Sequence, residues 1–325
     1  MARILKRSFG VIPFTANSTI SLDLPRNHVF KSVYLRLTGT LLKTGGTTNG
    51  TFFSENPMSL IKSVAVVRNG SDVLQRADGG TLYQLARINS DGDPQKVSAP
   101  TVTLAAGASL VFSADIPIDF ASWRMNNPGA TLLRAVGTSS LRLDVTWGTF
   151  TDLISGSDGT LSFSTAPSIE VFTEEIMDIT GDFGDKLIVV TQRTVVVAST
   201  QFTIDLSTGP FYRRLVFKTT DNAGVTVSDA VINRARIISD GSFFHVDRMS
   251  WTSLQGMNKR NYALNTLIPG YAIIDFAEDG NPAGLIDTRG ASSFQAELDV
   301  SLGTGTTSVQ VIQEQVVPAR VATAA

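Results

Sequence analysis

The sequence has two histidines, His28 and His245, and neither has the surroundings a hydrolase needs. A serine nucleophile requires a histidine base and an orienting acid. No G-x-S-x-G elbow occurs; His28 follows Leu24-Pro25 in a turn, and His245 lies in or beside a strand with Phe243, Phe244 and Val246. A solvated turn histidine and a packed strand histidine are the plainer readings. The run Gly303-Thr304-Gly305-Thr306-Thr307-Ser308 has no P-loop lysine and no following helix, so it reads as a hairpin turn rather than a phosphate cradle. Cysteine is absent, which removes disulfides, thiolate metal sites and cysteine nucleophiles. Two histidines are too few for a multi-histidine metal centre. Acids in loops, Asp91-Gly92-Asp93 and Asp275 to Asp279 with Glu278, make a structural calcium ion the single cofactor candidate, although neither run has EF-hand spacing. No pair of carboxylates is singled out for glycoside chemistry. The triplets beginning at Asn17, Asn49 and Asn69 match the glycosylation sequon and are incidental without a secretory signal. No catalytic, cofactor-binding or metal residue is assigned, and the chain is not expected to be an enzyme.

One charge feature stands out. Arg3, Lys6 and Arg7 fall within the first seven residues, and no acid precedes Asp23. Near an anionic membrane each basic residue contributes about 1 kcal/mol, so this segment supplies only about 3 kcal/mol, an effect that multiplies when many copies share a surface. These three residues are candidates for contact with a membrane or an inner face, or with a neighbouring subunit. Over the whole chain Lys and Arg (27) nearly balance Asp and Glu (29), for a net charge of −2, so no specific nucleic-acid partner is expected. No apolar run approaches the roughly 18–20 residues that cross a bilayer. The start, Met1 to Arg7, lacks the apolar core of a signal peptide, and the expectation is a soluble, unsecreted protein. Its 325 residues, 42% hydrophobic and 17% charged, suit two domains with sizeable cores.

The elements that would position these residues are strands. Ile20-Ser21-Leu22-Asp23-Leu24, Val33 to Leu37, Leu141 to Val145 and Val309 to Ile312 alternate apolar and polar residues, the two-residue period of a half-buried strand. Turn-formers separate them: Gly45-Gly46, Asn69-Gly70, Gly156 to Gly159, Gly303 to Gly305. Helical spacing appears only over Thr81 to Ile88 and Ser250 to Tyr262, short enough to be connections. The pattern is all-β.

The strands also repeat. Ile20 to Leu24 aligns with Phe202 to Leu206 at an offset of 182 residues, and without a gap Phe30 meets Tyr212, Lys31 meets Arg213, Val33 meets Leu215 and Leu35 meets Phe217. At an offset of 171, Ile61, Val64, Val66, Val67, Asn69 and Gly70 meet Ile232, Ala235, Ile237, Ile238, Asp240 and Gly241. At 155, Leu143-Asp144-Val145 meets Leu298-Asp299-Val300; at 140, Ile169, Val171, Phe172 and Glu174 meet Val309, Val311, Ile312 and Glu314. The offset falls in one direction only, by 11, 16 and 15 residues. Surface loops absorb insertions that strands do not, so the excess belongs to Lys43–Gly50, Asn89–Ala108 and Gly148–Thr160 of the first copy. The expectation is two tandem eight-stranded jelly-roll β-sandwiches with short connecting helices: residues 1–9 as an N-terminal arm, 10–178 as the first jelly roll, and 179–325 as the second with a C-terminal tail.

Such a chain resembles the double jelly-roll major capsid proteins of tailless icosahedral, membrane-containing bacteriophages, in the PRD1/adenovirus structural lineage. The carrying segments are Thr19 to Thr38 with its echo Gln201 to Thr220, and Leu267 to Phe276 continuing through Thr288-Arg289-Gly290 to Leu298-Asp299-Val300-Ser301-Leu302. The resemblance is architectural and transfers no individual functional residue. It implies a homotrimer forming a pseudo-hexameric capsomer, which tiles an icosahedral shell over an internal membrane. The partners it implies are neighbouring capsomers, minor capsid or penton proteins and anionic lipid. It places the protein in the virion, assembled in the host cytoplasm, with the longer first-copy loops as candidates for outward towers. Alternatives are a secreted tandem-jelly-roll carbohydrate-active enzyme or lectin, and a trimeric virion spike.

Overall fold

The computed structural model describes residues 3–90, 94, 96–97, 103–122, 124–179, 181, 183–221, 226–264 and 266–317. The described residues divide into two compact units, one within 3–122 and 129–185, the other within 124–128 and 186–317. In each, eight principal strands form an antiparallel sandwich of two groups of four, to which shorter strands are added.

In the first barrel the principal strands are β1 (Arg3–Pro13), β2 (Thr19–Asp23), β3 (Val29–Thr44), β4 (Ile61–Arg68), β5 (Asp72–Ala77), β6 (Ser109–Asp119), β7 (Leu141–Trp147) and β8 (Thr160–Met177). One sheet has the order β1-β8-β3-β6, the other β2-β7-β4-β5. In the second barrel they are β9 (Asp185–Val195), β10 (Ser199–Asp205), β11 (Phe211–Asp221), β12 (Ile232–Ser239), β13 (Phe243–Ser250), β14 (Tyr271–Asp275), β15 (Phe294–Val300) and β16 (Thr307–Val317). Their sheets are β9-β16-β11-β14 and β10-β15-β12-β13. Adding eight to every label of the first barrel gives the second. The expected pair of eight-stranded jelly rolls is therefore present, and every repeat block read from sequence falls on matching strands.

The alternation explains the packing. β7 and β15 both run buried, half-buried, buried along their length, so Leu141, Leu143 and Val145 face one core while Phe294, Ala296 and Leu298 face the other. Burying each large apolar side chain contributes about 1.5–3 kcal/mol. Helices α1 (Gly79–Asn89) and α2 (Trp251–Asn261) occupy the same place, after β5 and after β13, and begin at matching caps. Asp78 accepts from the Thr81 amide, and Ser250 from the Ser253 amide. The hairpins β4–β5 and β12–β13 turn on Asn69-Gly70 and Asp240-Gly241, all four residues at positive φ, as the primed turns of a twisted hairpin demand.

Two expectations change. Residues 3–9, read as an arm, are the first residues of β1 and pair with β8; their basic side chains concealed a strand whose charges are met by acids on and just beyond its partner. Gly303 to Ser308 is a turn between strands, with Gly303 N donating to Thr307 Oγ1 at 2.9 Å, but β15 and β16 lie in different sheets. It is a crossover, not a hairpin. The tail from Pro318 lies outside the described residues.

Candidate functional site

The catalytic candidates separate. His28 sits half-buried in the bend before β3. His245 lies on β13, hydrogen-bonded to Ser239 Oγ at 2.9 Å and edge-on to Phe243, Phe276 and Phe294; burial lowers its pKa. Of the calcium candidates, Asp275 accepts the Tyr262 hydroxyl and the Ala277 amide, and Asp279 accepts the Asn281 amide. Among the described residues no three acids or histidines converge on a metal position; Asp91 and Asp93 lie outside them. A cleft of about 640 Å³ in the first barrel is lined by Phe9, Asp23, Arg26 and Ser139 among others, with no base–nucleophile pair.

What the first barrel does assemble is a projection. β3 has 16 residues and β8 has 18, against 11 each in β11 and β16. Beyond this prolonged ladder the three inserted segments meet: Gly50–Phe52 pairs on one side with Ile154–Ser155 and on the other with Thr103–Leu104. The shifts in the sequence repeat thus correspond to one three-stranded cap, built from all three insertions. Asp158 fixes its base. Its carboxylate accepts the amides of Thr47 (2.9 Å) and Thr48 (2.6 Å), with the Thr47 hydroxyl and Lys43 Nζ at 3.2 and 3.4 Å. The Thr47 amide first, with the Thr48 amide, the Thr47 hydroxyl and Lys43, holds its pKa down at about 2 against some desolvation. Gly159 is at φ +84°, and a Cβ there would stand 2.5 Å from the Gly45 carbonyl oxygen. Only glycine fits.

The basic residues lie at the other end of this ladder. Thr160 is opposite Thr44, whereas Met177 is opposite Arg3, and 18 residues of strand at about 3.3 Å each separate the ends by roughly 55 Å. There Arg3 pairs with Asp178 at 2.8 Å, Lys6 with Glu174 at 3.3 Å, and Arg7 with Glu175 at 3.1 Å. These acids escaped the sequence reading because their partners are about 170 residues away.

Glu174 belongs to a duplicated cluster. In the first barrel it receives Lys6, Lys31 (3.2 Å) and Ser32 (3.1 Å); in the second, Glu314 receives Lys186 (3.6 Å), Arg213 (2.9 Å) and Arg214 (2.6 Å). In both, the ladder slips by one residue opposite the carboxylate, leaving Lys31 and Arg213 as the bulged residues. Burial pushes both carboxyls up, and the cations overcome it: Lys31 and Lys6 lower Glu174, while Arg214, Lys186 and Arg213 bring Glu314 far below the usual range. A second duplicated feature ties the turns. Asn69 Oδ1 accepts the amide and hydroxyl of Ser139 (2.9 and 3.2 Å), and Asp240 Oδ1 accepts those of Ser292 (2.7 and 2.9 Å). Neither set is a reaction centre; both fasten strands.

Comparison with known proteins agrees with this scaffold. The major capsid protein of Sulfolobus turreted icosahedral virus superposes with a TM-score of 0.75 at 17% identity, covering 99% of this chain and all of that one. The fold is the double jelly roll of major capsid proteins. The major capsid protein P2 of bacteriophage PM2 gives a TM-score of 0.66 at 11% identity, with 99% of each chain covered. The PBCV-1 virus capsid protein gives 0.65 at 12%, with 97% and 94% covered. Residues 188–318, nearly all of the second jelly roll, match the family described as viral coat protein P2 C-terminal domain. No curated protein matches the chain in sequence. The likeness to solved structures is one of fold and spans nearly the whole chain, while the coat-protein match is confined to residues 188–318.

Proposed function

We propose that this chain is the major capsid protein of an icosahedral virion, that three copies form a pseudo-hexagonal capsomer, and that these blocks tile the shell. The observation carrying this reading is the duplication itself: one strand order, one bulge and one turn latch occur twice in a chain whose second half matches a viral coat protein domain. Six similar barrels from three chains offer near-equivalent contacts to six neighbours, while the projection on alternate barrels keeps three-fold identity. The cap of the first barrel is assigned to the outer surface, and the Arg3 end of β1, some 55 Å away along the ladder, to the inner face above an internal membrane. Minor capsid or penton proteins would fill positions this block cannot.

Contact of Arg3, Lys6 and Arg7 with anionic lipid has to compete with Asp178, Glu174 and Glu175, so each cation brings less than its full charge to a membrane. Purified protein should run as a species three times the 34.8 kDa chain mass; a monomer at all concentrations would overturn the capsomer reading. The orientation has its own test, since the chain has no cysteine. In intact particles Thr47→Cys should react with a bulky thiol reagent and Arg3→Cys should not; the reverse pattern rejects the assignment. Changing Arg3, Lys6 and Arg7 together to serine should weaken binding to anionic liposomes, and unchanged binding removes the lipid role.

A further inference from the structure

Asparagine followed by glycine can react with itself, because no Cβ on the glycine keeps its amide nitrogen from the asparagine side-chain carbonyl carbon. The chain has two such pairs, Asn49-Gly50 and Asn69-Gly70, and the first barrel treats them differently. Asn69 is held. Its φ is +52° and that of Gly70 is +84°, and its Oδ1 accepts the Ser139 amide at 2.9 Å and the Ser139 hydroxyl at 3.2 Å. Turning its carboxamide onto the Gly70 nitrogen would break both bonds. Asn49 is exposed, and among the described residues nothing hydrogen-bonds its side chain. It stands between Thr48, whose amide donates to Asp158 at 2.6 Å, and Gly50, the first residue of the central cap strand, opposite Leu104. Strand ends open more readily than strand middles, so the Gly50 nitrogen is within reach. The glycine is also required where it is: a Cβ at 50 would stand 2.8 Å from Ile154 Cγ1 and 3.0 Å from Ser157 Cβ. Packing of the cap thus demands the residue that makes Asn49 reactive.

We propose that Asn49-Gly50 is a self-modifying site in the projection: Asn49 deamidates in the folded chain without a second protein, while the latched Asn69 is spared. The Gly50 nitrogen loses its proton to hydroxide and attacks Asn49 Cγ. The new C–N bond closes a five-membered succinimide, the bond to the side-chain nitrogen breaks, and ammonia leaves with a proton from water. Water then adds to either ring carbonyl and reopens the ring, giving aspartate or isoaspartate. One ammonia leaves for one water consumed, and nothing is oxidised or reduced. Isoaspartate routes the chain through the side-chain carboxyl and so puts an extra carbon into the backbone just before Gly50. Gly50 cannot then stay both opposite Leu104 and against Ile154. The cap loosens with age and gains a negative charge.

The full chain, aged at mildly alkaline pH and digested, is read by peptide mass spectrometry and by isoaspartate content. Asn49 should convert about tenfold faster than Asn69 or more, the protection given by two hydrogen bonds that must open first. In denaturant the two sites should convert alike. Asp240→Asn makes a third Asn-Gly pair inside the equivalent latch, and it should be as slow as Asn69. Asn49→Gln, whose longer side chain closes a less favoured ring, should abolish conversion at this site. Aged wild-type chains should be cut by protease within residues 44–52 faster than fresh ones, and aged Asn49→Gln chains should not. Equal rates at Asn49 and Asn69 in the folded chain, or an Asn49 that converts only in denaturant, overturn the site. Conversion that leaves cleavage unchanged overturns its effect on the cap.

Discussion

Lys6 and Lys186 approach the same carboxylate position of the same bulged ladder, yet one is solvated and the other sealed. The turn latches show the same economy: Asn69 holds Ser139 in one barrel and Asp240 holds Ser292 in the other, through the same two atoms of each serine. What is duplicated is strand order, slip position and turn geometry. What differs is the environment laid over them: a three-stranded cap on one barrel and a fully buried charge cluster in the other. The proposed capsomer, six-fold in outline and three-fold in identity, would need this division between a common skeleton and unequal surfaces.

The comparison can be broken by treating equivalent residues alike. The largest effect is expected at the buried cluster. Glu314→Gln leaves Arg213, Arg214 and Lys186 without their carboxylate and should destabilise by about 3–5 kcal/mol, whereas Glu174→Gln, beside the solvated Lys6, should cost about 1–2 kcal/mol. Equal costs in chemical unfolding would contradict the difference in burial. Core positions should behave alike instead: Leu35→Ala and Phe217→Ala, both fully buried, should each lose about 3–5 kcal/mol. Helix caps come next, with Asp78→Ala and Ser250→Ala each costing about 1 kcal/mol.

The smallest effect is one of pH. The Ser292 amide and hydroxyl lower the pKa of Asp240 in the folded chain from 3.8, so its contribution is present above that value and is lost as pH falls through the lowered one. Asn69 does not titrate. Asp240→Asn should therefore flatten the acid limb of the stability curve below about pH 4, and Asn69→Asp should steepen it; no change in either limb would remove the latch from the account. In the cap, Asp158→Asn should expose the 44–50 loop to protease at neutral pH, and protonation near pH 2 should loosen the same loop in the native chain.

Much of this was legible in the sequence. Ile20 to Leu24 and Phe202 to Leu206 announce matching strands because one face of each must be buried, which fixes the two-residue period. The falling offsets located the insertions, since their strands could not absorb extra residues. Glu174 and Glu314 were aligned, but their shared chemistry was hidden because Lys6 and Lys186 reach them from another strand. β1 was hidden for a related reason: Arg3, Lys6 and Arg7 read as a solvated arm until Glu174, Glu175 and Asp178 are brought alongside. The Ser139 and Ser292 latches, 70 and 52 residues from their acceptors, carry no local signal.

Electron microscopy of the purified protein at working concentration tests the central claim most directly. The account predicts three-fold particles with a six-lobed outline and density rising above alternate lobes; single two-lobed particles, or rings whose six lobes rise equally, would contradict it.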